Sequence, residues 1–484
     1  MDKKFFLCLL FPLLLFFPII SYAFDSGSTG ADGAFNPTAN RVLNCYSTVN
    51  HNGVFNFTTV NIPSGVTVSF KKDTNNDPVT ILVSGDVTIN GTISVSGGNG
   101  STNVTPGMGG PGGYDGGKGG CNGWLSGKGM RGDGPGGGGG GNASVDGNGA
   151  GGGFQTAGGG ANYSVAGGST YGTLNLTQLL GGSGGGGSGY YTSSYNGAGG
   201  GGGGGAILIA SNGTIAINGS VLANGGQGGN GFYLDSNCDF WNCSGHCASN
   251  FMAGAGGGSG GAIRLAADTI QGNGIISAVG GIGGKTNCYN YNPTRYGATG
   301  GNGYIRIEAN HNLWTATQNI TPAYSGAYAP ASLYPTNIPT LAITSINGVS
   351  VPPVTTGDTT YPDVNLPYGT QNPVSVGIVA SYIPLGTTVS VKVAPATGNP
   401  ATVTSTGLSG TTDSSTATAS ITLDMSQPSI LTLSATFTPL ALNGAPLYAG
   451  GERIKAIRVS STFGEKGSRI VYVTESGKEI PAKI

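Results

Sequence analysis

Three stretches of this chain are copies of one another, and each abuts a glycine-rich tract. They run from Ile81-Leu82-Val83 to Gly97-Gly98, from Ile207-Leu208-Ile209 to Gly225-Gly226, and from Ile263-Arg264-Leu265 to Gly280-Gly281. In each, short alternating apolar segments are broken by an Asn-Gly step: Asn90-Gly91, Asn218-Gly219 and Asn273-Gly274. A unit repeated in this way cannot bury its apolar face alone and must stack on its neighbours. The repeats therefore predict an elongated scaffold of β-coils. The competing reading is three unrelated hairpins, because Asn-Gly is also a strong hairpin signal.

Within a copy, Val87, Ile89, Ile93 and Val95 alternate with polar residues, so one face of each short strand points inward. Val60-x-Ile62, Pro63-Ser64-Gly65 and Val66-x-Val68 read as an opening coil. A partial fourth copy, Tyr304-Ile305-Arg306-Ile307-Glu308, is followed by Asn310 to Trp314, expected to close the stack. At each corner, Asn-Gly is expected to supply a residue tolerant of left-handed backbone. Insertions spanning roughly 99–205, 227–261 and 282–303 leave each repeat just after its terminal Gly-Gly. Stacked coils would send all three out of one corner as a lobe.

The chain holds 95 glycines in 484 residues, against a usual share of roughly 7%. Such tracts read either as flexible linker or as packed polyproline-II-type helices with three residues per turn. Gly109-Gly110-Pro111-Gly112-Gly113-Tyr114 has the period of three that packing requires, and Gly199 to Gly205 suits close approach. Charged residues make up only 8% and the net charge is −1, which gives no electrostatic claim on nucleic acid or an anionic membrane.

Lys3 and Lys4 precede an apolar run from Phe5 to Ile20, and Ser21-Tyr22-Ala23 matches a small-x-small cleavage pattern. Residues 1–23 are read as a signal peptide, with a mature chain from Phe24 that is exported and has no transmembrane span. Cys45, Cys121, Cys238, Cys243, Cys247 and Cys288 are then disulfide candidates in an oxidising compartment. Cys238-x4-Cys243-x2-His246-Cys247 also has zinc-ligand residue types, but in an exported chain disulfides take precedence.

The expected organisation is a β-solenoid over 24–315, a linker over 316–339, a β-sandwich over 340–440 and a charged tail over 441–484. The sandwich rests on alternating strands at Leu341 to Ile346, Val374 to Ala380, Thr388 to Val393, Ala417 to Leu423 and Ile430 to Phe437. In the tail, Ile454 to Val459 and Ile470 to Val473 read as a separate hairpin.

Chemistry is sparse. His51, His246 and His311 lie in different regions, with no triad partner beside them. The coil strands carry Arg264, Asp268, Arg306 and Glu308; Arg264 and Arg306 share a register and are expected to be solvated on the exterior. No catalytic, metal or cofactor residue is assigned. Aromatics crowd the insertions, and Trp124, Tyr190, Tyr191, Trp241, Tyr289 and Tyr291 are candidate ligand contacts. The same rings would equally serve to cover glycine helices.

The run Gly-Gly-Ala-Ile-Arg-Leu at 260–265, with its sister from Gly201 to Ile209, resembles the glycine-rich exported β-solenoid proteins of bacterial surfaces. These often carry Ig-like modules after the solenoid. The resemblance covers about residues 50 to 315 and implies a surface or matrix role without catalytic residues. The sequence expectation is thus an all-β protein: a parallel β-helix with polyglycine-II-like insertions, then an Ig-like sandwich. Its function would be structural or adhesive, with a surface polysaccharide or protein partner and room for oligomer or filament assembly. The alternative is a carbohydrate-binding or carbohydrate-active β-helix of pectinase type.

Overall fold

The computed structural model describes residues 24–45, 53–72, 74–121, 127–143, 147–162, 164–176, 179–190, 196–231, 253–285, 296–330, 333, 338–357, 359, 361–439, 447–461 and 468–482. These residues are almost wholly β, with one 3-10 turn at Thr317–Asn319. Among them no helix is long and apolar enough to cross a membrane. The leader read at 1–23 lies outside the described residues.

Two parallel sheets make up the first half. One takes a long strand from each repeat, so that Ala206–Ile217, Ala262–Gly272 and Tyr304–Trp314 lie side by side. In the first copy the same course is split into Val79–Val83 and Val87–Ile89, both paired with Ala206–Ile217. The second sheet runs Arg41–Asn44, Thr67–Lys71, Thr92–Ser94, Ser220–Leu222, Ile275–Ser277, Ile320–Thr321. Each Asn-Gly step carries the chain from the long sheet to the short one, and the pairing is parallel on both sides. That excludes the hairpin reading of these steps.

Between the sheets, Ile89, Ile93, Ile209, Ile217, Val221 and Ile263 share one buried cluster. Ile207 pairs with Ile263 as expected, but its partner in the first copy is Val79, and Ile81 sits beside Ile209. An offset of two residues keeps the same face inward, because side chains along a strand alternate with period two.

The corners correct the expected role of Asn-Gly. None of the residues in these three steps has a positive φ. Glycine is required instead by close stacking: a Cβ on Gly219 would fall on the Gly91 carbonyl, and one on Gly274 on the Gly219 carbonyl. Asn218 Nδ2 donates to Asn90 Oδ1 at 3.0 Å, tying successive corners together. The stack also continues beyond residue 315, where the sequence suggests a linker. Ile320–Thr321 adds to the short sheet and Ser325–Tyr328 to the long one.

The glycine tracts pack as one lobe. Along Gly199–Gly205, Gly199, Gly202 and Gly205 donate N–H to Ser101, Gly98 and Val95. Gly200 and Gly203 donate to Gly117 and Tyr114, while Gly201 and Gly204 donate to Gly256 and Ser259. Every third residue thus turns to the same neighbouring segment, and the segment bonds three neighbours at once. Gly228 donates to Ile282 and Gly281 to Gly258, so all three insertions belong to this network. The flexible-linker reading does not hold here, because the ordering cost is offset by backbone hydrogen bonds throughout.

The second half consists of a five-stranded and a seven-stranded sheet, both antiparallel. Leu341, Val376 and Ile378 of one share a core with Val391, Leu433, Ile457 and Tyr472 of the other. The hairpin expected as a separate tail is part of this module: Glu452–Ser461 pairs with Ser429–Phe437 and then with Ser468–Thr474. Alternating apolar residues in both of its strands (Ile454, Ile457, Val459, Ile470, Tyr472) complete the shared core. A strand the sequence did not signal, Ala401–Gly407, is Thr- and Ser-rich with a mostly exposed face.

A Cβ on Gly203 would fall on the Gly182 carbonyl oxygen, whereas one on Gly160 meets nothing nearer than 3.3 Å. Gly203→Ala is therefore expected to destabilise by about 3 kcal/mol and Gly160→Ala by less than about 1 kcal/mol. Chemical denaturation of the two variants checks the difference.

Candidate functional site

The charges singled out on the coil strands are brought together, but not in solvent. Arg264 and Arg306 are register partners, as expected. Both are buried together with Glu308, whose exposure is 0%. Arg264 grips the carboxylate with two bonds, Nε to Oε1 at 3.2 Å and Nη2 to Oε2 at 3.0 Å. Arg306 Nε donates to the same Oε1, and its Nη1 donates to Asn175 Oδ1 of the first insertion at 3.2 Å. The expectation of a solvated exterior fails because this outer face is covered. Leu82, Leu208, Ala210 and Ala266 pack there against Phe24, Leu333 and Tyr448. Asp268, further along its strand, does stay near solvent and accepts from Asn310 Nδ2 at 2.9 Å.

This cover ties the two halves together. The Tyr448 hydroxyl lies 3.2 Å from Thr80 Oγ1, and Asn56 Nδ2 donates to the Gly451 carbonyl at 2.9 Å. Burial pushes the Tyr448 phenol above its ordinary value, with Thr80 and the nearby Arg453 and Arg264 opposing. With both Glu308 oxygens engaged by guanidinium N–H groups, the triad is an ion clamp between neighbouring coils.

Among the described residues, a concave feature lies in the second half. A groove of about 1460 Å³ runs between strand Thr340–Ile346, the segment 350–370 and the turn 423–431. Two local arrangements shape its rim. Asp363 accepts hydrogen bonds from Thr356 N and Oγ1, each at 2.9 Å, and from Gly357 N at 3.2 Å. Partial desolvation raises the Asp363 carboxyl, but these hydrogen bonds together outweigh it and leave the group below its ordinary value. Asp424 accepts from Ser426 Oγ and Gln427 Nε2, both at 2.6 Å, and is likewise held low by them. Among the described residues, the groove's two charged lining residues are thus both ionised acids. Tyr368, 107% exposed, stands at its edge, and Tyr361, 79% exposed, precedes the lining residue Pro362 in the chain.

The aromatic candidates of the insertions take a different place. Tyr190 is half-buried; its ring lies where a Cβ on Gly127 would fall, and its N–H donates to the Gly127 carbonyl at 2.8 Å. It covers glycine backbone. Trp124, Tyr191, Trp241, Tyr289 and Tyr291 lie outside the described residues, as do Cys238, Cys243, Cys247, Cys288 and His246. Cys45 is buried in the coil core and Cys121 is half-buried in the lobe, with no disulfide between them. Tyr361 and Tyr368 were missed by sequence reasoning. The available signal was the long segment 351–373, which carries no regular strand; structureless connections of that length are usually functional.

Comparison with known proteins brings no match: no family model fits the chain, and neither a curated protein nor a solved structure resembles it.

Replacing Glu308 by Leu leaves two buried guanidiniums without their carboxylate, an expected loss of about 3–5 kcal/mol. The triple variant Arg264→Met, Arg306→Leu, Glu308→Leu should recover most of it, and urea midpoints compare the two. The raised Tyr448 phenol gives a second expectation. Its contribution to stability is intact below the ordinary value of 10.0 and is lost as pH rises through the raised one. Circular dichroism against pH should show part of the alkaline sensitivity absent in Tyr448→Phe.

Proposed function

We propose that this chain is an exported, non-catalytic structural or adhesive protein of the cell surface or extracellular matrix. The stacked parallel strands are read as a β-solenoid and the period-three glycine network as polyglycine-II-like packing. The two antiparallel sheets with a common core are read as an Ig-like sandwich. The observation that carries the proposal is that backbone hydrogen bonding joins coils and insertions into one body, with the second module seated on its outer face. Such a body serves as a rigid carrier, and the groove at 340–370 and 423–431 serves as its binding module. Low overall charge suits contact with neutral surfaces.

The exposed rings of Tyr361 and Tyr368 favour a second reading, a carbohydrate-binding β-helix protein, because aromatic faces stack on sugars. Fractionation of producing cells tests the main proposal. The expected result is a surface or extracellular chain beginning at Phe24, with fewer than six free thiols before reduction. An intracellular chain that keeps residues 1–23 would overturn it, and release of sugars from polysaccharide by the purified protein would overturn the non-catalytic part.

A further inference from the structure

The groove is walled by two strand edges that, among the described residues, are only partly paired. Strand Thr340–Ile346 pairs along its length with Val374–Ser381, but on its other side only its last residues are paired: Ser345 and Ile346 with Ser350 and Val349, and the Thr344 carbonyl with Val351 N–H at 2.9 Å. The chain then leaves through Val351-Pro352-Pro353, where prolines lack the N–H to continue a ladder. On that open side Leu341 N–H donates to Ser468 Oγ at 2.8 Å, and the hydroxyl donates back to the Leu341 carbonyl at 3.2 Å. Alternation in an antiparallel ladder turns the N–H and C=O of Ile343 the same way, into the groove.

The other wall repeats this arrangement. Strand Ser429–Phe437 pairs with Thr388–Pro395 from Ser429 to Ser434, but with Glu452–Ser461 only from Ser434 onward. On the unpaired side Leu433 N–H donates to Ser461 Oγ at 2.9 Å. By the same alternation, Leu431 and Ser429 present their N–H and C=O groups to the groove. Ser461 and Ser468 therefore close its inner end, each capping one edge; beyond them Ile343 on the first edge, and Leu431 and Ser429 on the second, are left unpaired. The Ser429 hydroxyl oxygen is buried with no hydrogen-bond partner. Buried polar atoms of that kind are rare, and this one belongs to a residue that lines the groove.

We propose that the groove takes an extended, basic peptide segment of a partner protein, held by main-chain pairing to one or both of these edges. This rests on the reading of the groove as the binding module. Half-buried Ile343, Ile346, Leu423 and Leu431 receive alternate apolar side chains. Asp363 and Asp424, ionised at the rim, select Lys or Arg at the ends of the segment. A strand supplies an N–H and a C=O every second residue, the spacing at which Ser429 and Leu431 offer theirs, while Ile343 adds one further pair on the facing edge. A glycan has no such period, so the edges favour a peptide over a sugar.

The test uses the full mature chain and fluorescein-labelled seven-residue peptides with Val, Ile, Thr or Phe at alternating positions and Lys at both ends. Binding is read by anisotropy beside cellohexaose as the sugar probe. The expected result is saturable peptide binding that weakens at least about tenfold on N-methylation of alternate amides, as loss of main-chain pairing requires. Asp363→Asn with Asp424→Asn should weaken it about threefold and flatten its salt dependence. Ser429→Ala, a small change that leaves both ladders intact, should weaken it without altering the thermal melt. Equal affinity for N-methylated peptide would overturn the main-chain pairing. Cellohexaose binding without peptide binding would overturn the peptide assignment while keeping the groove as a site. Binding of neither probe to folded protein would remove both this inference and the groove as the binding module.

Discussion

A hydrogen atom in the place of Cβ is what the first half of this molecule rests on. Coil corners and lobe segments approach so closely that a methyl group at Gly91, Gly203, Gly219 or Gly281 would fall on a neighbouring carbonyl. That approach brings each N–H within reach of a carbonyl on another segment, with every third residue facing the same neighbour. Glycine loses more conformational entropy on ordering than any other residue. The backbone bonds must therefore be nearly complete for such a tract to stay ordered, and in the lobe they run through all three insertions. Two of the buried serines inside it are used for bonding: Ser183 Oγ accepts from Gly136 N, and Ser259 Oγ from Ser183 N.

A second constraint follows from the coils. A parallel stack has two outer faces, and only one row of side chains in each strand points to the shared core. Over the first part of the long strands the outer row is covered by Phe24, Leu333 and Tyr448. Buried there, Arg264 and Arg306 need a counter-charge, and Glu308, on the same strand as Arg306 and beside that of Arg264, supplies it to both. The ion clamp is a consequence of where the second module is seated. On the proposed function, this seating also holds the binding groove on a rigid carrier rather than on a flexible tether.

Much of the strand pattern was legible. Period-two alternation marked Val87 to Val95 and the five strands from Leu341 to Phe437, because a strand with one buried face must alternate. The repeats announced stacking, and the tracts after each Gly-Gly announced insertions on one side. The corner glycines were found for an incomplete reason: the sequence suggests left-handed backbone, whereas crowding from the coil below is what excludes a side chain. Ala401–Gly407 was invisible because its exposed Thr and Ser residues leave no apolar period.

The candidate site was less legible. Two exposed tyrosines and Asp363 in a long segment, with Asp424 in a later turn, carry no motif, and the groove exists only because distant parts of the chain meet there. What the sequence determined by itself is local: which residues alternate, where the chain turns, and where no side chain is tolerated. The tertiary structure alone decided that Arg264 and Glu308 are buried, that the charged hairpin completes a core, and that a groove opens beside Ser429. Burial and pairing depend on what lies across from a residue. For Thr80 that neighbour is Tyr448, 368 positions away along the chain.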